Sequence, residues 1–256
     1  MKINGKLPLV CSIDFDFFIE ENPMLDMGHR EEGLFLNGMW AIREEQWAAQ
    51  GKSAREMMPM RISVMEFVAR LRRLLNVPPC EVPAFAAESH AALPKALDMA
   101  EIEECDIVNF DAHHDIAYGH CPQDLVEKFD CGSWGGHLLE TARAKSYAQV
   151  YPEWRRKWPE MNEERRLMMA AQWEAEFLYW NDWRPEKRRK VAAVFLCRSG
   201  CWTPPCHDRE FSKLCRLFGL ESIEERPEPK VDAEHVATLK ELGEEARRTW
   251  SKKGID

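Results

Sequence analysis

The sequence lacks several features that would have defined its class. No stretch approaches the ~20 uninterrupted apolar residues that span a bilayer, and residues 1–6 lack the apolar region of a signal peptide. A membrane protein is therefore not expected, and a cytoplasmic location is the default. A strongly basic balance is also missing, because the net charge is −9 and the pI is near 5.5. This charge argues against nucleic acid as a partner.

The cysteines lack the pattern of a disulfide framework. Their number, nine, is odd, and Cys11, Cys105 and Cys197 lie in or beside apolar strand candidates, where cysteine behaves as a small hydrophobe. The run from Cys197 to His207 has the spacing C-x3-C-x4-C-H, which fits none of the standard zinc patterns well. Ordinary thiols are thus favoured over a zinc knot.

Short apolar runs alternate with helical patterns along the chain. This alternation is typical of a parallel sheet covered on both faces, and 256 residues suffice for one large domain. We therefore expect a single three-layer α/β domain over 1–256 with a mainly parallel sheet. The candidate strands are 7–17, 82–88, 106–110, 147–151, 191–197 and, as a further candidate, 220–223.

Helical spacing predicts the elements between these strands. Apolar residues from Val64 to Leu75 recur at helical spacing before Pro78, and Ser133 is a plausible N-cap for a helix through Ala144. Residues 207–218 and 232–250 also have helical patterns. The last of these helices belongs to a charged, peripheral stretch over 225–256, and the basic run 184–190 is interpreted as a solvated helix end or loop.

Segment 153–185 is rich in tryptophan and charge, and we expect a helical insertion there. The favoured interpretation is an amphipathic helix whose aromatic stripe packs on the sheet. The alternative is a lid over a functional site, in which at least one of Trp154, Trp158 and Trp180 lines the cavity.

The segment Asp111-Ala112-His113-His114-Asp115 closes an apolar run with Asp-x-His-x-Asp. If the backbone stays extended, the two carboxylates and the imidazole of His113 point the same way, because side chains alternate across a strand. A second strand places Asp14 and Asp16 on one face by the same alternation. Solvated loop-end acids or N-caps are the alternative. Apolar surroundings favour a metal site, because buried carboxylates need a cation, and this ligand set suits Mn, Zn or Fe.

These residues resemble a known superfamily. His90, the Asp111-to-Asp115 cluster and the Asp14/Asp16 pair look like the three metal-binding elements of the arginase, agmatinase and histone-deacetylase superfamily. The closest resemblance is to an uncharacterised arginase-related family with an Asp-Phe-Phe strand end, a Phe-Asp-Ser/Ala-His-x-Asp strand and a Pro-x-Trp after a strand. The corresponding segments here are 13–18, 110–115 and 150–154, and the likeness covers roughly 8–20 and 80–205.

The resemblance implies a centre with two divalent metal ions, with Mn favoured over Zn or Fe by oxygen-rich ligation. It implies that one ion takes His90, Asp111, Asp115 and Asp14. It implies that the second takes His113, Asp111, Asp14 and Asp16, with Asp111 and Asp14 bridging. A lone histidine after a strand is often a hydrogen-bonded structural residue, which is the alternative for His90.

Roles beyond the ligand set are assigned to three residues. Asp115 is assigned to catalysis as well as to metal binding. His137, at a predicted helix start, is interpreted either as a proton shuttle or substrate contact or as a histidine without catalytic role. His114 is expected to face away from the metals, by alternation, and to support them from behind.

Two departures from the arginase pattern bear on the substrate. The Asp-x-Asp strand comes first in this chain, whereas in arginases it follows the Asp-x-His-x-Asp strand. A parallel sheet tolerates that order, because a site built from strand ends does not depend on it. No match is found for the glutamate with which arginases grip the guanidinium group. The resemblance therefore supports the metal centre more strongly than arginine hydrolysis.

The leading hypothesis is an enzyme, a dinuclear metallohydrolase that cleaves a linear C–N bond, guanidino or amide, through a metal-bridging hydroxide. One alternative is a deacetylase with a single zinc held by Asp111, His113 and an aspartate of the first strand. Another is a non-catalytic binding protein that uses the tryptophan-rich surface. The expected partner is a small-molecule substrate, and a homo-oligomer is left open. Asp14 and Asp111 should end adjacent parallel strands, with carboxylates within about 5 Å.

Overall fold

The computed structural model describes residues 7–20, 33–77, 82–118, 122–185, 188–221 and 223–252. Six strands within these residues form one sheet in the order β2-β6-β1-β3-β4-β5, and all neighbours are parallel. The strands are β1 (Leu9–Asp14), β2 (Ala84–Ala87), β3 (Cys105–Phe110), β4 (Ala144–Tyr151), β5 (Ala175–Tyr179) and β6 (Val191–Cys197). The predicted α/β fold with a parallel sheet is confirmed.

Helices connect the strands and cover the sheet. They are α1 (Gly33–Ala49), α2 (Ala54–Met57), α3 (Val64–Leu74), α4 (Leu93–Met99), α5 (Trp134–Glu140), α6 (Glu163–Trp173), α7 (Asp208–Leu217) and α8 (Ala233–Lys252). Short 3-10 helices occupy Phe15–Phe18, His90–Ala92, Pro122–Asp124, Glu153–Lys157 and Pro205–His207. In the part of the chain that is described, no helix combines the length and apolar character needed to cross a bilayer.

Two hydrophobic cores lie on opposite faces of the sheet. On one face, Leu9 and Ile13 of β1 pack in a cluster with Phe67 of α3. On the other face, Val10 packs in a cluster with Leu138 of α5. The alternation follows from the period of two along a strand. β1 and β3 are buried along their whole length, as expected for central strands covered on both sides.

Several element ends differ from the sequence-based expectation. β1 ends at Asp14 and not at residue 17, because the Asp14 side chain accepts a hydrogen bond from the backbone N–H of Asp16 and turns the chain into a 3-10 helix. Helix α5 ends at Glu140, and the left-handed Ala142 (φ 57°) precedes β4. The described residues of the 220–223 candidate are not in a strand.

Segment 153–185 is only partly helical. It contains a 3-10 helix, α6 and β5, and β5 pairs with β4 at the sheet edge. A left-handed Glu174 (φ 47°) ends α6 and reverses the chain into the strand. Trp180 and Trp183 then pack in the core that contains Phe67. The expected packing of aromatic residues on the sheet is confirmed, but the backbone that delivers them differs.

Candidate metal centre

Asp14 and Asp111 lie at the carboxyl ends of two neighbouring strands. β1 and β3 pair in parallel, with Ile13 opposite Phe110, so that the next residue of each chain emerges at the same sheet edge. Both carboxylates reach His90, whose Nδ1 lies 2.9 Å from Asp14 Oδ2 and 3.4 Å from Asp111 Oδ2. The predicted adjacency of the two strand ends is confirmed.

Tight turns, not extended strands, bring the next residues into the cluster. Asp14 Oδ1 accepts a hydrogen bond from the N–H of Asp16 (2.9 Å), and Asp111 Oδ1 accepts one from the N–H of His113 (2.7 Å). A carboxylate that captures the N–H two residues ahead bends the chain sharply. The expectation of an extended backbone through both motifs was therefore wrong, although the side chains still converge.

The ring of His90 is held on both faces and at one nitrogen. It stacks on Trp134, with ring centroids 4.8 Å apart, and on Phe195 at 5.6 Å. Its Nε2 lies 2.8 Å from Ser12 Oγ. A tautomer that donates from Nε2 to Ser12 leaves Nδ1 with a lone pair. In that tautomer, Nδ1 can accept a proton or bind a metal ion.

Three carboxylates surround that nitrogen without bonding to it. Nδ1 of His90 lies 2.9 Å from Asp14 Oδ2 and 3.4 Å from both Asp111 Oδ2 and Asp115 Oδ2. It nevertheless has no hydrogen bond of acceptable geometry, although it is fully buried. A lone pair and three carboxylate oxygens that face one another repel, unless a proton or a metal ion lies between them. The donor set fits a divalent ion with mixed nitrogen and oxygen ligands.

A second group of donors adjoins the first. Nδ1 of His113 lies 2.9 Å from Asp16 Oδ2 and 3.8 Å from Asp111 Oδ1. Asp111 thus turns one oxygen toward each histidine. In each of the sets His90–Asp111–Asp115 and Asp16–Asp111–His113, the ligand atoms lie within 4.8 Å of one another. The arrangement is compatible with two cations that share Asp111.

The acids in this cluster ionise with difficulty. Burial, followed by repulsion from Asp16, raises the pKa of Asp14 to about 7. Burial and the negative charges of Asp16, Asp115 and Asp14 also hold the pKa of Asp111 well above its ordinary value. Without a metal the cluster must take up protons, and a bound cation would replace them.

For His90 and Asp16, in contrast, the pKa shifts favour the charged form. Burial works against the charged form of His90, but attraction to the nearby carboxylates of Asp115 and Asp14 outweighs it and raises the pKa to about 9. Burial also disfavours the ionised form of Asp16, but the hydrogen bond from His113 outweighs it and lowers the pKa of that carboxyl. Attraction inside the cluster therefore offsets part of the cost of burial.

Buried polar side chains orient the carboxylates from behind. Trp134 Nε1 donates to Asp115 Oδ2 (2.8 Å), and Asn109 Nδ2 donates to Asp111 Oδ2 (3.1 Å). Gln149 accepts from Asn109 and donates to the Asp111 carbonyl oxygen at 2.8 Å. Outer contacts of this kind fix the orientation of ligands in metal sites.

A cavity of about 200 Å³ opens onto the cluster. Its lining combines cluster members with four side chains and a glycine from nearby loops: Asp14, His90, His113, Asp115, Tyr118, Cys131, Gly132, Ser199 and Trp202. The ring of Trp202 packs on His113 with centroids 4.5 Å apart. The cavity is of a size for a small-molecule group.

The lid prediction was wrong. Trp154 and Trp180 are buried, Trp158 is 47% exposed, and none of them lines the cavity. Among the described residues, Trp202 is the tryptophan that lines the cavity, and sequence reasoning missed it. Its position depends on the loop after β6, which is braced by hydrogen bonds from Trp40 and Arg226 to the carbonyl oxygen of Gly200. No local pattern indicates such a tertiary brace.

Two predicted histidines lie outside the cluster. His137 Nδ1 is 2.8 Å from the Leu125 carbonyl oxygen, and its ring stacks on Phe129 at 4.1 Å, away from the cavity lining. It is therefore not placed to act as a proton shuttle. His114 does not belong to the described groups with metal-binding geometry; it stacks on Tyr118, and burial lowers its pKa to about 3.

The cysteine-rich run after β6 does not form a zinc knot. Within the described chain, the groups with metal-binding geometry omit Cys201, Cys206 and His207. His207 Nε2 lies 2.8 Å from the Met58 carbonyl oxygen. Cys197 instead joins Asp14 and His90 in a third group of donors, an association that the spacing of cysteines does not reveal.

Comparisons with known proteins return no relative. No protein family, no curated protein and no solved structure matches this chain. The likeness to the arginase superfamily therefore rests on the motifs quoted above. The geometry of the cluster is what bears on the function.

Proposed function

We propose that this chain is a metal-dependent hydrolase whose cluster holds two divalent cations and which cleaves a linear C–N bond. One observation carries the proposal. The fully buried Nδ1 of His90 has no hydrogen bond, yet three carboxylate oxygens lie within 3.4 Å of it. A buried arrangement of this kind is costly unless a cation neutralises it.

The ligands divide into two sets. The first cation would be held by His90, Asp14, Asp111 and Asp115, all of which meet around His90 Nδ1. The second would be held by His113, Asp16 and Asp111, with Asp14 as a shared ligand, as the arginase resemblance implies. The second set is rich in carboxylate oxygen, which suits manganese.

When bound, two such cations supply an activated water molecule and polarise the carbon atom under attack. The residues of the chain do the rest. Trp134 fixes Asp115, and Asn109 fixes Asp111, so that the ligands are oriented before a substrate arrives. Trp202 and Ser199 also line the cavity and would contact a substrate bound there. An amide or a guanidino group fits these requirements.

The single-zinc deacetylase is the second candidate. It would use Asp111, His113 and one aspartate of β1, and would leave the environment of His90 unexplained. Because His90 and His113 each face their own carboxylates, two cations account for more of the geometry. Metal stoichiometry separates the two candidates.

The test combines metal content with turnover. Protein reconstituted with Mn²⁺ is analysed for bound metal and screened against guanidino and N-acyl compounds. Asp111→Asn should lose both ions and all turnover, because Asp111 serves both sets. Asp106→Asn is the matched control, since Asp106 is a fully buried aspartate at the opposite end of β3. It should keep two ions and full turnover.

The outcomes are distinct. About two ions per chain, with turnover that Asp111→Asn abolishes, would support the proposal. One ion per chain with amide turnover would favour the deacetylase. No retained metal in the wild type would refute the metal centre altogether.

A further inference from the structure

The third donor group contains a sulfur atom that the arginase-like ligand set does not use. Cys197 ends β6 and lies opposite Asp14 in the register of β1 and β6. Partners in a parallel register point to the same side of the sheet. The ligand atoms of Asp14, His90 and Cys197 all lie within 4.8 Å of one another, and all three residues are buried.

We propose that Cys197 is a ligand of the first cation and makes this position selective for zinc over manganese. The inference rests on the proposed function, because it requires that the cluster binds metal. Thiolate and imidazole ligands suit Zn²⁺, whereas a site of carboxylates suits Mn²⁺. The two positions would then differ in chemistry. The first has a sulfur, an imidazole and carboxylates, while the second has an imidazole and carboxylates.

The Cys197 thiol makes a weak hydrogen bond, which a bound metal ion could replace. Its Sγ lies 3.6 Å from the Glu88 carbonyl oxygen, which receives the thiol proton in a weak hydrogen bond. On metal binding the sulfur would turn to the cation, and the proton would leave to solvent. The stacking of His90 between Trp134 and Phe195 holds the imidazole in its orientation toward the cluster.

The simpler explanation is that Cys197 only fills space, because it belongs to the core that contains Phe195. That explanation makes a different prediction about metal spectra. A packing residue leaves no trace in the spectrum of a bound ion, whereas a thiolate ligand does. The two can therefore be separated without knowledge of the substrate.

Cobalt(II) is the probe. Protein loaded with Co²⁺ should show a sulfur-to-cobalt charge-transfer band in the near ultraviolet, and Cys197→Ser should lose that band while still binding cobalt. Cys131→Ser controls for a described thiol that lines the cavity, and Cys11→Ser for a buried strand thiol in the opposite core. Both controls should keep the band.

A competition experiment measures selectivity. Wild-type protein offered equal Zn²⁺ and Mn²⁺ should retain zinc in one position, and Cys197→Ser should lower the zinc-to-manganese ratio at least about tenfold, since even outer-shell changes cost 10–100-fold in affinity. Circular dichroism confirms that each variant is folded.

A measurement on protein that keeps Cys197 guards against the case in which Cys197→Ser fails to fold. X-ray absorption at the zinc edge, recorded on Cys131→Ser protein, should show a sulfur shell near ~2.3 Å. Bound cobalt without the band, a band that survives in Cys197→Ser, or a zinc shell without sulfur would each overturn the inference and leave the metal centre intact. Failure to bind any metal would overturn both.

Discussion

The two ends of β3 carry two buried aspartates in opposite circumstances. At the amino end, Asp106 accepts hydrogen bonds from Arg189 Nη1 (2.8 Å) and Ser146 Oγ (2.6 Å). At the carboxyl end, the ion-pair partners of Asp111 among the described residues are two histidines, and other carboxylates crowd around it. Both side chains are fully buried.

The difference separates a buried aspartate that is paired with an arginine from one that the proposed metal centre would use. The chain brings an arginine from the 184–190 run to Asp106, so that run is not simply a solvated loop. The buried Asp208 also has arginine partners, because it pairs with Arg198 (2.8 Å) and Arg226 (2.6 Å). Within the described residues, no lysine or arginine pairs with Asp14, Asp16, Asp111 or Asp115. Carboxylates that are not paired with lysine or arginine remain available to bind a metal cation.

The contrast between the two aspartates can be tested by removing each charge from the metal-free protein. Asp106→Asn should lower the free energy of unfolding by about 3 kcal/mol, because it leaves Arg189 with a neutral partner. Asp111→Asn should instead raise it by about 1 kcal/mol at pH 8, because it relieves repulsion in the cluster. Denaturant unfolding in the presence of a chelator measures both. Effects of the same sign would contradict the contrast.

The second prediction concerns pH. Asp14 has a folded pKa of about 7 against an ordinary 3.8, and His90 one of about 9 against 6.5. Raised folded pKa values contribute stability that is complete below the ordinary values and is lost as the pH rises through the folded ones. The melting temperature of metal-free protein should therefore fall between pH 4 and pH 9.

Bound manganese should reverse that trend. Because the cation displaces the same protons, its stabilising effect should increase with pH over this range. Differential scanning calorimetry with and without Mn²⁺ provides the measurement, at constant ionic strength. A metal-free protein whose stability rises from pH 5 to pH 9 would show that the cluster carries its charge without strain.

The third prediction tests whether Trp134 acts through its hydrogen bond to Asp115 or only by packing against His90. Trp134→Phe removes the hydrogen bond to Asp115 and keeps a ring against His90, so metal affinity should fall about tenfold with little change in stability. Trp183→Phe is the matched control, since Trp183 is fully buried and its Nε1 has no hydrogen-bond partner. Calorimetric titration with Mn²⁺ should give wild-type affinity for the control. Equal losses in both variants would point to packing alone.

The smallest effect is expected at Ser199, which lines the cavity with φ at 54°. A left-handed serine is strained, and Ser199→Gly should stabilise the protein by about 0.5 kcal/mol after the entropy of the unfolded glycine is counted. Glu174→Gly offers the comparison away from the site, because Glu174 has φ at 47°. Thermal melts of the two variants should shift upward alike, whereas a drop for Ser199→Gly would mean that its hydroxyl holds the loop.

The sequence permitted a good part of this site to be predicted. Strand ends rich in aspartate indicated that Asp14 and Asp111 would meet, because parallel strands present their carboxyl ends at one edge. The turns after them could not be deduced from alternation, since each depends on a carboxylate capturing a backbone N–H. The position of Trp202 could not be predicted for another reason. Its loop is held by hydrogen bonds to the Gly200 carbonyl oxygen from residues as distant as Trp40 and Arg226.

Two of the elements that the sequence analysis missed do have local signals. In α1, the buried residues Leu36, Trp40 and Trp47 recur at helical spacing. In β5, alternate residues Ala175 and Phe177 face the same core. The first pattern is diluted by polar residues, and the second follows a helix without a proline or glycine to mark the boundary. Patterns of this strength are decided by tertiary packing.

The place of β6 between β2 and β1 has a consequence for the order of folding. β1 and β3 can pair once about 110 residues have been synthesised, but the other edge of β1 stays open until β6, ending at Cys197, follows. At 5–20 residues per second, that interval lasts roughly 4–18 s. During it the nascent chain exposes the edge of its central strand, which is a site for aggregation or for a chaperone. The acids at the ends of β1 and β3 approach each other first, and the cysteine arrives last.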